Sequence, residues 1–387
     1  MTKVSIVIGA LYGDEGKGSF VNYLCSQTIK PLVIRFNGGH QVGHTVVNND
    51  GTKHVFSNFG SGTLQNTPTY WSEYCTVSPV GIQKEGRILN ELGIEPELYL
   101  NANAMVTTPF DILQNHKLEA SNNHGSVGVG FGTTIQRNED NYRLYVRDLQ
   151  YSKIRDEKLK LIINNYYNLP FNPACAYQNK ETRKIYDNFI AACDDLIGRY
   201  EIINDLKSHG LYNHDMIFEG AQGIMLDKNY GFFPHVTRSN TTSKNALEII
   251  KTIPLNVDIN TYYITRAYQT RHGNGYMTNE GSDISYIKNN PKETNVEGFQ
   301  GEFRKSILDL DVLNYAISCD KYHNPDMFSK KKLVITCLDQ VPENIPITVN
   351  GVKGVANYEQ ISRFCKIKHV FPVYSDTGFK FNNDKQL

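Results

Sequence analysis

Five short runs in this 387-residue chain are nearly continuous in apolar residues: "VSIVIGA" from Val4, "LVIRF" from Leu32, "MIFEG" from Met216, "TYYITRAY" from Thr261 and "KLVITCLD" from Lys332. A strand with one wet face alternates apolar and polar residues, so an unbroken run needs cover on both faces. The pattern predicts an α/β fold: a large, mainly parallel central sheet flanked by helices. Helices are expected where the runs pause. One begins at Ser78, which can cap, with Pro79 suited to the first helical position and Gly93 to the exit. Others fall near 110–120, 154–167, 180–207, 243–252 and 308–319, and "VVNNDGTKHVF" reads as a hairpin turning over 49–51. No Pro- or Gly-rich linker divides the chain, so residues 1–387 read as one domain, with a helical insertion or lobe at about 100–210.

The first run leads into "VIGALYGDEGKGSF", residues 7–20. A glycine-rich turn between strand and helix is where anions bind, because the helix N-terminus presents unpaired N–H groups. Gly13, Gly16 and Gly18 let the backbone turn sharply, and Lys17 adds a point charge suited to a phosphoryl group. Yet Gly18 stands where a Walker A loop has Ser or Thr, and Asp14 and Glu15 sit inside the turn. A bare phosphate repels two carboxylates. Asp14 makes sense if it meets a magnesium ion or removes a proton.

Two further stretches leave predicted strands at the same edge, where α/β ligands collect. In "RFNGGHQVGHTV", residues 35–46, His40 and His44 lie four apart, but the glycines make this a loop rather than a metal-binding helix face. His44, beside the first glycine loop, is the functional candidate of the two. "FEGAQGIMLDKNYGFFPHVTRSNTT", residues 218–242, sets Glu219 and Gln222 after a strand and Thr237, Ser239, Asn240, Thr241 and Thr242 in one polar cluster. Such a cluster suits either a ligand or a helix cap.

Forty basic and forty acidic residues cancel, which leaves no global field to draw nucleic acid or a membrane surface. The seven cysteines include no CxxC pair, which argues against a disulfide framework or a zinc site. With no signal-like N-terminus and no long apolar span, the expectation is a soluble, cytoplasmic protein.

"YGDEGKGSFVNYL", "RFNGGHQVGHT", "SPVGIQKE", "FEGAQGIMLD…PHVTRSNTT" and "RAYQTRHGNG" occur in the order, and near the spacing, of the adenylosuccinate synthetase family. The resemblance is strong over about residues 3–280 and continues weakly to the end. It implies a P-loop-like fold, a homodimer with Mg2+, and a GTP-dependent ligase that joins aspartate to C6 of inosine monophosphate after phosphorylating O6. Carried over residue by residue, it implies that Asp14 is the general base and a metal ligand, and that His44 stabilises charge on O6. Lys17, Gly13, Glu15, Gly16, Gly18 and Thr45 would cradle the transferring phosphate, with Gly43 a further metal contact. Gln41, Ser126, Gln222, Thr237 and Arg143 would hold the monophosphate, Gln41 standing where the family commonly has asparagine. Arg304 would meet the amino acid, and Asp339, Ser375 and Gly378 the base of the triphosphate. Thr270 and Arg271 resemble the family's nucleotide-handling strand end.

The departures bear on substrate. "HGSVGVGFGTTIQRNED" from His124 lacks the arginine and proline of the family's monophosphate loop, leaving Arg137, Arg143 or Arg147 to supply the charge. "NVEGFQGEFRKSILDLD" replaces the multi-arginine loop that recognises aspartate, so the amine donor stays open. Cys337 replaces a lysine beside Asp339, which weakens the preference for GTP over ATP or dATP. The readings are therefore inosine monophosphate as acceptor, deoxyguanosine monophosphate as the alternative, and, from another class, a catalytically silent nucleotide-binding regulator. Intact Asp14, Lys17 and His44 speak against the last.

Overall fold

All five predicted strands form, and they are neighbours. In the computed structural model, which describes residues 2–48, 50–122, 125–170, 180–207, 209–288 and 301–374, nine parallel strands make one sheet among the described residues. In chain order they are β1 (Thr2–Gly9), β2 (Pro31–Arg35), β3 (Thr69–Trp71), β4 (Leu98–Asn101), β5 (Glu201–Ile203), β6 (Asp215–Gly223), β7 (Val257–Arg266), β8 (Lys330–Thr336) and β9 (His369–Pro372). Across the sheet the order is β9-β8-β7-β1-β6-β2-β3-β4-β5, with every pairing parallel.

The near-continuous runs have the cause expected of them. On β1, Ile6 and Ile8 pack into a cluster on one face with Ile34, Phe218 and Tyr263, while Val7 faces the other way, against Phe20, Val21 and Ile264. All are buried, so neither face of the strand could tolerate alternation.

Ser78 caps the Pro79–Glu91 helix by accepting from Gly81 N at 3.1 Å. The His44–Val47 and Lys53–Phe56 strands form the predicted hairpin, closed by Asn48 N to Thr52 O at 2.9 Å, with Asn49 outside the described residues. The helix expected over 180–207 stops at Arg199, and β5 occupies Glu201–Ile203 within that stretch. Two isoleucines against the edge of β4 favour strand there over helix. The helix expected over 154–167 runs from Ser152 to Leu161 and then widens by one residue per turn, with Tyr167 N bonding Ile162 O at 3.0 Å. Between β4 and β5 the chain makes a helical excursion. Its helices share one core with the sheet edge, where Phe110, Leu159 and Phe189 join Trp71 and Leu100.

A buried ion pair fixes that excursion. Arg137 donates from Nε to Asp111 at 2.8 Å, from Nη2 to Asp111 at 3.1 Å and to the Val106 carbonyl at 2.8 Å, with both side chains fully buried. Removing one partner strands the other charge. We expect Asp111→Ala to lower unfolding free energy by about 3–5 kcal/mol, read by urea denaturation. A loss under about 1 kcal/mol, the surface-pair range, would contradict this. No helix of the described residues is long and apolar enough to cross a membrane.

Candidate functional site

β1, β2 and β6 lie side by side at the sheet centre, although β6 follows β2 by some 180 positions in the chain, and the loops leaving their carboxyl ends converge. A cavity of about 1990 Å³ opens there. Its wall includes Gly13, Asp14, Glu15, Gly16, Lys17 and Gly18 from the first loop, and Gln41, Gly43, His44 and Thr45 from the second. Ser126, Gln222, Thr237 and Arg271 complete the side that the sequence assigned to a ligand.

The first loop folds tightly on itself. Gly13 takes φ +106°, and a Cβ there would come within 2.9 Å of Gln222 Cα, so only glycine fits against β6's exit. Gly16 precedes the Lys17–Ser26 helix, whose first residues, Lys17, Gly18 and Ser19, line the cavity. Lys17 is buried, donates to the Gly13 carbonyl and lies 3.7 Å from Glu15. Burial pulls its pKa down against the attraction of Glu15 and Asp14. Glu15 accepts from Leu11 N at 2.5 Å, and burial, opposed by Lys17, raises its pKa to about 7.

Asp14 turns its carboxylate to the cavity. Arg266 Nη2 stands 3.4 Å and His272 Nε2 3.7 Å from Oδ2, while Arg266 Nε donates to the Asp14 carbonyl at 2.5 Å. Burial would raise the pKa of Asp14, but Arg266 and His272 outweigh it and hold the carboxyl well below the usual range. It is therefore held ionised by these two partners.

His44 is held from behind. Its Nδ1 lies 2.6 Å from Glu219 Oε1, which leaves Nε2 as the nitrogen for the cavity. Ser61 supports the same carboxylate through its hydroxyl and through its N–H at 3.1 Å. Burial raises the pKa of Glu219, but His44, Arg35 and Ser61 bring it down to about 2. Burial lowers that of His44 against the pull of Glu219.

Two amides complete the wall. Gln222 adopts φ +61°, a conformation costly outside glycine, and its buried Oε1 has no partner among the described residues. Gln41 carries both amide atoms buried without partners among those residues. Unused donors and acceptors at a cavity wall suit the hydrogen-bonding edge of a heterocycle.

Several expected residues lie elsewhere. Arg143 bonds the Asn138 carbonyl and Asn141 and does not line the cavity. Arg137 is spent on Asp111, and Arg147 on Asn103. Arg304 pairs with Glu280 and donates to the Gly275 carbonyl at 2.8 Å, away from the wall. Asp339 sits in a tight turn, Leu338–Gln340, in which Cys337 and Gln340, three apart, share the cavity side and Asp339 does not. Ser375, Gly378, His124 and residues 295–300 lie outside the described residues. Sequence reasoning missed Arg35, Ser61, Arg266 and His272, and named Glu219 without its partner. The signal for Arg35 and Arg266 was present, as it was for Glu219: a charged residue closes each of the interior runs "LVIR", "MIFE" and "YYITR".

A base, a buried cation and an anchored imidazole around one helix N-terminus suit chemistry on a nucleotide phosphate, which places the chain among α/β nucleotide-dependent enzymes. The adenylosuccinate synthetase profile matches residues 6–378. The adenylosuccinate synthetase of Pasteurella multocida is 32% identical over 297 residues, 74% of this chain and 68% of that protein. That of Glaesserella parasuis is 33% identical over 287 residues, 72% and 65%. The matched stretch thus spans about two thirds of these relatives. In fold, the chain resembles the fully ligated Plasmodium falciparum adenylosuccinate synthetase (TM-score 0.72, 18% identity, 96% and 97% covered). It also resembles the cyanophage S-2L succinoaminodeoxyadenylate synthetase bound to dGMP and dATP (TM-score 0.62, 15% identity, 98% and 95% covered). The chain belongs to the adenylosuccinate synthetase family, C–N ligases driven by a nucleoside triphosphate.

Proposed function

We propose that the chain phosphorylates O6 of a purine nucleoside monophosphate from a triphosphate and then replaces that phosphate with the amine of aspartate. Inosine monophosphate is the leading acceptor and GTP the leading donor. The observation that carries this reading is the meeting of Asp14 and His44, from separate loops, on one cavity wall beside Lys17.

The base accepts the proton at purine N1 on the Asp14 carboxylate. As that N–H bond breaks, its electron pair passes through the ring to O6, which attacks the γ-phosphorus and releases the diphosphate. His44 presents Nε2 toward the developing charge, with Glu219 steadying the ring. Lys17 and the helix N-terminus hold the phosphoryl group in line. The amine then adds at C6 and phosphate leaves.

A magnesium ion suits the donors present. Asp14 and the Gly43 backbone line the cavity, and among the described residues no cluster of three or more His, Cys, Asp or Glu could hold a metal alone. Sites completed by substrate phosphates are the usual kind for Mg2+, which would there neutralise phosphate charge.

A second acceptor, deoxyguanosine monophosphate, is suggested by the altered loop from His124 and by the ligands of the cyanophage relative. That relative also raises dATP, or ATP, as donor. The reading includes a cytoplasmic homodimer that handles small molecules, with no nucleic acid or membrane partner.

The test is phosphate release and product mass with each monophosphate, aspartate and each triphosphate. We expect release only when all three are present, at a kcat/KM at least about tenfold higher for the true acceptor, since a site built for a polar edge discriminates strongly. Nucleotide binding with no release in any combination would support the silent regulator instead.

A further inference from the structure

Arg35, the last residue of β2, is fully buried, and none of its three guanidinium nitrogens has a hydrogen-bond partner among the described residues. A guanidinium taken out of water without hydrogen bonds is expensive. Something must offset that cost. Its neighbours in the sheet are Trp71 on β3 and Glu219 on β6, its direct register partners on either side. The guanidinium lies 5.0 Å over the Trp71 ring, and Nη1 lies 4.0 Å from Glu219 Oε2.

The carboxylate is thus shared. Oε1 meets His44 Nδ1 and the Ser61 hydroxyl, while Oε2 accepts from Ser61 N and faces Arg35. An apolar side chain over Trp71 would fill the same volume with no desolvation cost, so packing alone does not explain an arginine here. The charge does. Without it, Glu219 would be a fully buried carboxylate with no fixed cation behind it, and its hold on the imidazole would loosen.

We propose that Arg35 is a positioning residue that fixes the orientation of His44 by holding the Glu219 carboxylate from behind, a proposal that rests on the role given to His44 above. Arg35 touches no substrate: it does not line the cavity. It keeps an ionised acceptor aimed at Nδ1–H, so that Nε2 stays turned to the reacting oxygen. Orienting partners of this kind matter to the geometry of the step more than to binding.

The test compares Arg35→Met, Arg35→Lys, Glu219→Gln and the double variant Arg35→Met/Glu219→Gln in the full chain. Two readouts are used: kcat with KM for both nucleotides, and nitrogen-15 NMR of the His44 imidazole without substrates, assigned against His44→Gln. In Arg35→Met we expect kcat to fall about 10–100-fold with KM changed less than about threefold. The imidazole should change from one Nδ1–H tautomer to a mixture, and Arg35→Lys should recover most of both. The double variant should match Glu219→Gln within about threefold, because Arg35 then has no carboxylate to act on. Wild-type kcat and a pure Nδ1–H tautomer in Arg35→Met would overturn the proposal. So would a double variant more than about threefold below Glu219→Gln, since Arg35 would then act elsewhere. If Arg35→Met does not fold, the double variant, which buries neither charge, and Arg35→Lys decide the matter. The NMR comparison needs no turnover, so it stands or falls apart from the proposed reaction.

Discussion

Asp14→Asn and Asp14→Ala should each lower turnover by about 10²–10⁴-fold, the range for losing a general base. Affinity for the purine monophosphate should stay within about threefold, as expected when an interaction made only in the transition state is removed. The asparagine variant is the sharper of the two. Its amide can still meet Arg266 and His272, which stand 3.4 and 3.7 Å from the carboxylate, but it cannot take a proton. Equal losses in both variants, with the Mg2+ concentration for half-maximal rate unchanged, assign the effect to proton transfer. Turnover in Asp14→Asn within about threefold of wild type would remove Asp14 from the reaction.

The surroundings of Asp14 also fix the direction of its pH dependence. Burial alone would raise the carboxyl, but Arg266, His272 and Lys17 hold it below the usual range. Asp14 is then ionised throughout the neutral region, and its share of the rate is lost only as pH falls through that depressed value. A base this weak removes an N1 proton effectively only if O6 attacks phosphorus as the proton leaves.

What could be read from the chain followed from how each feature is written in it. The five interior strands carry long apolar runs because both faces are covered: Ile6 and Ile8 on one side of β1, Val7 on the other. The outer strands β3, β4, β5 and β9 have three or four residues each, too few to show a period, and β5 lay inside what reads as one long helix. Asp14, Lys17 and His44 were legible because each sits in a glycine-rich loop that leaves a strand. Their supports were not. Glu219 reaches His44 across 175 positions of sequence and Arg266 reaches Asp14 across 252, so only the sheet order brings them together. Arg143, Arg304 and Asp339, which resemblance placed at a ligand, do not line the cavity: Arg143 and Arg304 bond local partners, and Asp339 lies on the other side of its turn from Cys337 and Gln340.

Gly18→Ser, which restores the hydroxyl of a Walker A loop, should lower kcat by about 100-fold, the cost of displacing a reacting group by about 1 Å. A Cβ on Gly18 would lie 2.6 Å from His44 Cβ, 3.2 Å from His44 Cγ and 2.9 Å from Ser61 Oγ. His44 Cβ is the root of its side chain, so the clash cannot be relieved by a rotamer and must move the strand or the ring. Either motion breaks the 2.6 Å contact with Glu219. Gly18→Ala carries the same Cβ without the hydroxyl and should lose nearly as much, whereas Gly198→Ala, in the Lys180–Arg199 helix with open space around it, should keep kcat within about threefold. A Gly18→Ser enzyme with wild-type kcat would show that His44 need not stay where the Lys17–Ser26 helix puts it. The next residue, Ser19, gives its hydroxyl to the Thr45 carbonyl at 3.1 Å and ties that helix to the hairpin carrying His44. At the position where a Walker A loop carries a hydroxyl, His44 Cβ and Ser61 Oγ stand 2.6 and 2.9 Å from where a side chain would begin, so a glycine there is what lets the imidazole sit against the helix N-terminus.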